Sequence, residues 1–482
     1  MSNVRKPNFI QALLPLIVLM VVAVFSILQW KTGMYMPLLS GIIATAILGL
    51  LLGHKWADLE KYISEGVSRA LLPLFILFVI GIIIGTWVLS GTIPTLIYYS
   101  LELIHPSIFI PTVAFVTGVL SISTGSSFTA ISTIGLAFMV VGEGMGFPAA
   151  LVAGAILSGA YFGDKLSPLS DTTNVAPAVA ETDLFTHVKH MLWDTIPAFV
   201  ISLILFFFVG YKYNLNNVSM EKINEILGVL SSTFVIHPLL LLMPVVAILL
   251  VMKKYPVLPS LMVIGLLGGV VAMIVQGSSM ADIMQTMTSG YAAETGIQEV
   301  DALLNKGGIL SMLNIVGLVL LATSLGGLME GTSVFKVLLE TLVEKARTTK
   351  SLIMLTLTSA TTIALASGSQ FLVLILTGRA FSGIYKERGI DTKNLSRCME
   401  AVGTVGINLV PWSVNSFFTL SVLGVSTMEY IPYAYFLLLV PLINIIYGLT
   451  GFTITKKIYP ETIAGSETTE SLNAKNTVKV GV

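Results

Sequence analysis

A single cysteine, Cys398, occurs in the 482 residues. One thiol excludes an internal disulfide and a cysteine-based metal cluster, and Cys398 is expected to be a small buried apolar residue. Charge is also scarce. Asp, Glu, Lys and Arg make up 11% of the chain, 26 acidic against 26 basic, where soluble proteins carry about a quarter. That balance leaves no basic surface to attract nucleic acid. There is no H-E-x-x-H pair, which argues against zinc, and "GAYFGDK" (159–165) has the wrong spacing for a phosphate loop. The longest polar loops, near 213–232 and 277–308, are too short to fold alone.

What the chain has instead is apolar length. It is 55% hydrophobic, with a mean hydropathy of +0.90, and many runs reach the roughly 18 residues of a bilayer span. These features predict an all-α integral membrane protein, set in the lipid bilayer, with about ten spanning helices. The first apolar run, 9–28, follows Arg5 and Lys6 but does not end in an A-x-A pattern. It reads as a retained helix rather than a signal peptide. The polar stretch 461–482 reads as a disordered tail.

Two apolar segments, 109–141 and 351–382, are too long for one simple span. Each carries a small polar knot, Ser-Thr-Gly-Ser-Ser at 123–127 and Ser-Gly-Ser-Gln at 367–370. A re-entrant hairpin explains both the length and the knot. With the N-terminus inside and both hairpins returning to their own side, only Lys31, Lys212, Lys222 and Lys306 fall in outside loops. The remaining loop cations, from Arg5 and Lys6 through Arg397 to Lys456 and Lys457, fall inside. Both termini are then cytoplasmic, and the hairpins enter from opposite faces.

A shift of 243 residues supports the same inversion. "TGSSFTAISTIGLAF" (124–138) falls on "SGSQFLVLILTGRAF" (367–381), and "GDKLSPLS" (163–170) on "GINLVPWS" (406–413). The predicted organisation has four parts. A first inverted repeat, 1–212, holds hairpin 109–141 and broken helix 147–180. An outer linker, 213–233, follows. A second repeat, 234–460, holds hairpin 351–382 and broken helix 398–425. The tail 461–482 completes it. Inverted repeats with broken helices are the build of secondary transporters. The two broken helices are interrupted at Pro168 and Pro411, where proline frees a carbonyl.

"GDKLSPLSDTTNVAP" (163–177) is then the unwound centre of a membrane helix, and its oxygens are hard donors suited to a cation such as Na+. The proton- and cation-coupling candidates are Asp164 and Asp171, because a carboxylate at membrane depth is a functional candidate by default. Na+ and H+ compete for that charge. The expected Na+ site is Asp164, Asp171, Thr172 and Asn174. Further substrate ligands are expected from Ser126, Ser127, Thr129, Ser167, Ser170, Ser367, Ser369, Gln370, Asn408, Ser413 and Asn415. Lys165 and Arg379 are candidate charge partners or anion binders. Glu330 and Glu400 are further proton candidates. The plainer readings are an Asp164–Lys165 ion pair, an Asp171 helix cap and hydroxyls that only satisfy freed backbone. Arg379 would then reach to the interface, and His187 and His190 would be surface residues. No nucleophile–base pair stands at recognisable spacing, so the chain is read as a transporter and not an enzyme. A channel would differ by its far higher flux.

"GDKLSPLSDTTNVAPAVAETDLFTHVKHML" (163–192) resembles the signature of the NhaC-type Na+/H+ antiporters, and the hydrophobic layout extends the resemblance over the chain up to the tail. By position, Asp164, Ser167, Ser170, Asp171, Thr172 and Asn174 are the matching signature residues. The resemblance implies antiport of intracellular Na+ against external H+ without a cofactor. It also implies an elevator motion of one domain against another, a cytoplasmic-membrane location and a homodimer as an open expectation. The family includes exchangers resembling Na+-lactate/malate–H+ antiporters, which remain the alternative, because the signature is shared.

Overall fold

The computed structural model describes residues 4–457 and 459, apart from 31, 104–105, 218–219, 254, 298–299, 302–303 and 344–345. The expected tail, 461–482, lies outside the described residues. The described chain is helical except for one isolated bridge, Ile390 to Lys456.

In chain order the first helices are α1 (Phe9–Val24), α2 (Tyr35–Leu51), α3 (Trp56–Ser68), α4 (Leu71–Leu89) and α5 (Thr92–Leu103). Then come α6 (Pro106–Thr124), α7 (Ser127–Gly144), α8 (Ala149–Leu166), α9 (Asp171–Ala180) and α10 (Leu184–Asn217). The middle of the chain forms α11 (Met220–Thr233), α12 (Leu242–Met252), α13 (Val257–Val275), α14 (Met280–Ser289), α15 (Leu313–Gly331) and α16 (Val334–Val343). The last part forms α17 (Thr349–Ser367), α18 (Gln370–Glu387), α19 (Lys393–Glu400), α20 (Val414–Leu423), α21 (Thr427–Tyr430) and α22 (Tyr435–Thr450).

Among the described residues, seven helices are long and apolar enough to cross a membrane, or up to ten if each bent pair counts as one span. Their outer faces are apolar at helical spacing, as Ile10, Leu14, Ile17 and Val21 on α1 and Met262, Leu266, Val270 and Ile274 on α13 show. Such stripes suit lipid, while every helical backbone group stays bonded within its helix. Much of the stretch expected as the outer linker, 213–233, is helical. α10 runs on to Asn217, and α11 follows from Met220.

The helices pack chiefly into two groups. The first group joins α1–α5 to α11–α16, and the second joins α6–α10 to α17–α22. Each group therefore draws one part from each half of the chain. Among the described residues, one ion pair crosses between the groups, Lys306 Nζ to Glu143 Oε2 at 3.0 Å.

Equivalent positions in the second group lie 243 residues apart. α9 and α20 begin at 171 and 414 and end at 180 and 423. The limbs of the hairpin-like pairs α6/α7 and α17/α18 meet at Gly125 and Gly368, with φ of 68° and 59°. Glycine takes this left-handed geometry without a steric penalty. Each tip presses on a helix break. A Cβ on Gly125 would lie 2.6 Å from Leu169 Cβ, and one on Gly368 would lie 2.8 Å from Trp412 O. Leu169 and Trp412 are themselves 243 residues apart. The breaks fall where the prolines predict, between α8 and α9 around Pro168 and between Leu409 and α20 around Pro411.

α6 and α8 approach closely because Gly118, Gly159 and Gly163 lack side chains. A Cβ on Gly159 would sit 2.1 Å from Ala114 O, and one on Gly163 would sit 2.4 Å from Gly118 O. Small residues four apart are how membrane helices pack without a hydrophobic drive. Gly159→Ala should therefore cost about 1–3 kcal/mol through overpacking, read as a lower unfolding temperature in detergent. Gly383→Ala, with nothing within 4 Å of its Cβ, should leave that temperature unchanged or slightly raised.

Candidate functional site

α8 carries Asp164 near its last turn, just before the chain unwinds at Ser167–Ser170. Two breaks meet at this carboxylate. Ser127, the first residue after the hairpin tip, donates its hydroxyl to Asp164 Oδ2 at 2.5 Å. Ser170, at the other break, donates to Asp164 Oδ1 at 2.5 Å. Ser170 also caps α9 by accepting from Thr173 N and lies 3.0 Å from Thr172 Oγ1. The Thr173 hydroxyl returns to the Asp164 carbonyl at 3.0 Å. Asp171 opens the first turn of α9, where a negative charge suits the helix dipole. Ser170 takes the capping role that Asp171 alone would otherwise have filled.

These groups line a cavity of about 320 Å³. Asp164, Asp171, Ser126, Ser127, Thr129, Ser170 and Thr172 all contribute to it, from the second group. The facing wall comes from the first group and is mostly apolar, with Leu72, Ile76 and Leu261 beside Arg69. Asp164 itself is only 6% exposed, at the rim of this space. Carboxylate and hydroxyl oxygens gathered in one pocket match the donor set of a hard cation.

A second cavity, of about 340 Å³, adjoins the first. Arg69, Phe128, Gln370 and Phe371 line both. Ser367, Ser369, Gln370 and Asn415 face the second cavity together with Arg379 and Glu330. Asn415 Nδ2 donates to Gln370 Oε1 at 2.9 Å and to Tyr161 Oη at 3.2 Å, bridging the two breaks. Glu330 binds Arg69 at 2.5 Å.

The other sequence candidates serve the breaks rather than the cavities. Ser167 donates to Ile122 O at 2.7 Å. Asn174 turns its amide onto Pro168 O and Ser170 O at 2.8 and 2.7 Å, outside both cavities. Ser413 caps α20, and Asn408 donates to Thr404 O and Val405 O.

Three expectations are corrected here. Lys165 neither pairs with Asp164 nor faces a cavity. It is fully buried and reaches Asp194 Oδ2 at 2.5 Å, because adjacent helix residues point in different directions. His187 and His190 are buried, not surface residues. α10 starts at Leu184, and its first turns pack on α19, where His187 Nδ1 meets Ser396 Oγ at 2.7 Å. Arg397 does not lie in an inner loop. It is buried on α19, with Nε donating to Asn444 Oδ1 at 3.1 Å and Nη1 to Thr453 Oγ1 at 2.7 Å.

Asp194 escaped the sequence reading. It binds both Lys165 and Asn444 Nδ2, the latter at 2.6 Å. An acidic residue flanked by an apolar run was the visible signal that could have found it.

Residues 159–452 match the Na+/H+ antiporter family. That stretch runs from the last turns of α8, through Asp164, Asp171, Gln370 and Asn415 of the cavity walls, to the end of α22. The chain belongs to the Na+/H+ antiporter family. It is 38% identical over 449 residues to the Na+/H+ antiporter NhaC of Alkalihalophilus pseudofirmus, covering 92% of this chain and 96% of the relative. It is 36% identical over 451 residues to the malate-2H+/Na+-lactate antiporter of Bacillus subtilis, covering 94% and 96%. It is 34% identical over 456 residues to the arginine/ornithine antiporter ArcD of Halobacterium salinarum, covering 94% of each.

Within this antiporter, Lys165 and Asp194 are a fully buried pair, and breaking such a pair leaves an uncompensated charge. Asp194→Asn should therefore lower stability by about 3–5 kcal/mol, seen as a large drop in unfolding temperature in detergent. Asp194→Glu should recover part of it.

Proposed function

We propose that this chain exchanges intracellular Na+ for external H+ by alternating access, with Asp164 and Asp171 shared between the two ions. The observation that carries this reading is the Asp164 carboxylate, held by hydroxyls from two helix breaks beside a cavity between two helix groups. Relatives named as Na+/H+ antiporters at up to 38% identity over almost the whole chain support it.

In the working cycle the aspartates release protons on the inner side and take Na+, with Ser126, Ser127, Thr129, Ser170 and Thr172 as added oxygen donors. Bound Na+ or H+ offsets carboxylate charge that would oppose movement through the bilayer. The second helix group then shifts against the first, and an outside proton displaces the Na+. The matched 243-residue spacing supports two inverted repeats, and the largely apolar facing wall suits sliding. The bias of Lys and Arg toward one set of loops supports cytoplasmic termini. Gly66, Arg69 and Glu330 in the second cavity's wall lie at helix ends which that bias places inside. The arrangement described is therefore the inward-facing one.

Asp164→Asn removes the charge both ions need. In liposomes holding an internal pH dye, that variant should lose Na+-driven proton movement while remaining folded. Normal exchange in it would remove Asp164 from the mechanism.

The second cavity favours a second reading, the coupled exchange of a small organic anion. Its roughly 340 Å³ is ample for such a solute. Arg379 lines it and has no ion-pair partner among the described residues, while Ser367, Ser369 and Asn415 offer hydrogen bonds. If malate or lactate is carried, Arg379→Gln should abolish the anion-dependent flux and leave Na+-driven proton movement within about threefold. Unchanged anion flux in that variant would dismiss this site.

A further inference from the structure

Behind the cavity wall lies a polar cluster that the exchange described above does not use. Lys165, Asp194, Arg397 and Glu400 are all buried with 0% exposure. The first three have partners: Lys165 with Asp194, Asp194 also with Asn444, and Arg397 with Asn444 and Thr453. Glu400 differs. Neither of its carboxyl oxygens makes a hydrogen bond of good geometry among the described residues, and the donor beside it is the Thr404 hydroxyl, one turn on. It ends α19 directly before a π-helical turn, Ala401–Val405, a distortion frequent at functional sites.

One turn before Glu400, Arg397 Nη2 is also without a hydrogen-bond partner among the described residues. An ionised carboxylate in this interior would cost several kcal/mol unless well paired, which favours the neutral, protonated carboxyl in this arrangement. The ionised form has a waiting partner. Arg397 lies three residues earlier on the same helix, a spacing at which side chains can meet. The charge count agrees. Lys165 and Arg397 bring two positive charges and Asp194 one negative, so an ionised Glu400 would balance the cluster.

We propose that Glu400 is a second proton-binding residue, neutral in this arrangement and ionised against Arg397 in the other. Its role as a positioning residue rests on the antiport reading; its protonation does not. The titratable groups acting on it are Lys165 and Asp164 from α8 and Asp194 from α10, and its own helix carries Arg397 and Cys398. His187 and His190 on α10, Tyr385 on α18 and Tyr447 on α22 complete the surroundings of Lys165 and Arg397. Glu400 does not line the cavities and touches no carried ion. It acts on Asp164 through charge, because gain or loss of its proton alters the field in which Na+ and H+ compete.

The test is infrared difference spectroscopy on the full-length protein in liposomes, titrated from acid to alkaline pH without Na+. Wild type, Asp164→Asn and Glu400→Gln are compared. The expected result is a protonated-carboxyl component that titrates in wild type and in Asp164→Asn and is missing from Glu400→Gln. A Glu400→Gln difference spectrum identical to wild type would overturn the proposal. Should Glu400→Gln fail to fold, Glu400→Asp serves instead. There the component should move in frequency, and an unmoved component overturns the proposal. In transport, Glu400→Gln should shift the pH profile of Na+-driven proton flux by about one unit, and an unshifted profile would contradict the coupling to Asp164. The infrared arm needs no transport, so it separates failure of this proposal from failure of the antiport reading.

Discussion

The Asp164 carboxylate is the point on which the molecule is organised. Its two oxygens accept hydroxyls from Ser127 and Ser170, and those serines come from different interruptions, one after a hairpin tip and one at the end of an unwound stretch. A single side chain therefore pins two breaks together. The surrounding features serve that junction. Gly125 turns the chain left-handed so that Ser127 can arrive, and Leu169 packs against that turn. Ser167 and Asn174 satisfy the carbonyls that the unwinding frees. Hydroxyls can donate to the carboxylate and, by rotating, present lone pairs to a cation instead.

The two halves of the chain solve the same backbone problem with different chemistry. Both use Gly at the tip, Pro in the unwound stretch and a serine cap, Ser170 or Ser413, 243 residues apart. Only the first half has carboxylates at its break. The second has Asn408, Ser413 and Asn415 there, with Arg379 on the returning limb, and its cavity is neutral to basic on the second-group side. Carboxylates thus line one cavity, and amides, hydroxyls and an arginine line the second-group side of the other.

Much of this was legible in the sequence because breaks in membrane helices need particular residues. The left-handed turns required Gly125 and Gly368, the interruptions required Pro168 and Pro411, and the caps required serine. Those constraints made the 243-residue match visible and brought Asp164, Asp171, Ser127 and Thr172 to notice together. Long-range partnership was not legible. Lys165 meets Asp194 across 29 residues, and Asn444 joins them from the far end of the chain. Counting loop cations placed Arg397 at the inner surface, since a charge tally cannot detect burial. Reading spans by hydropathy also started α10 too late, which left His187 and His190 outside. Arg69, in the walls of both cavities, follows a surface helix and carried no sequence signal beyond its charge.

Competition between H+ and Na+ for one carboxylate is the central claim, and equilibrium Na+ binding measured by calorimetry across pH tests it most directly. On the acid side, the apparent dissociation constant for Na+ should rise about tenfold for each unit the pH falls. Each bound Na+ should release about one proton where the binding group is protonated beforehand. A Na+ affinity that stays constant across pH, with no proton released, would contradict the account.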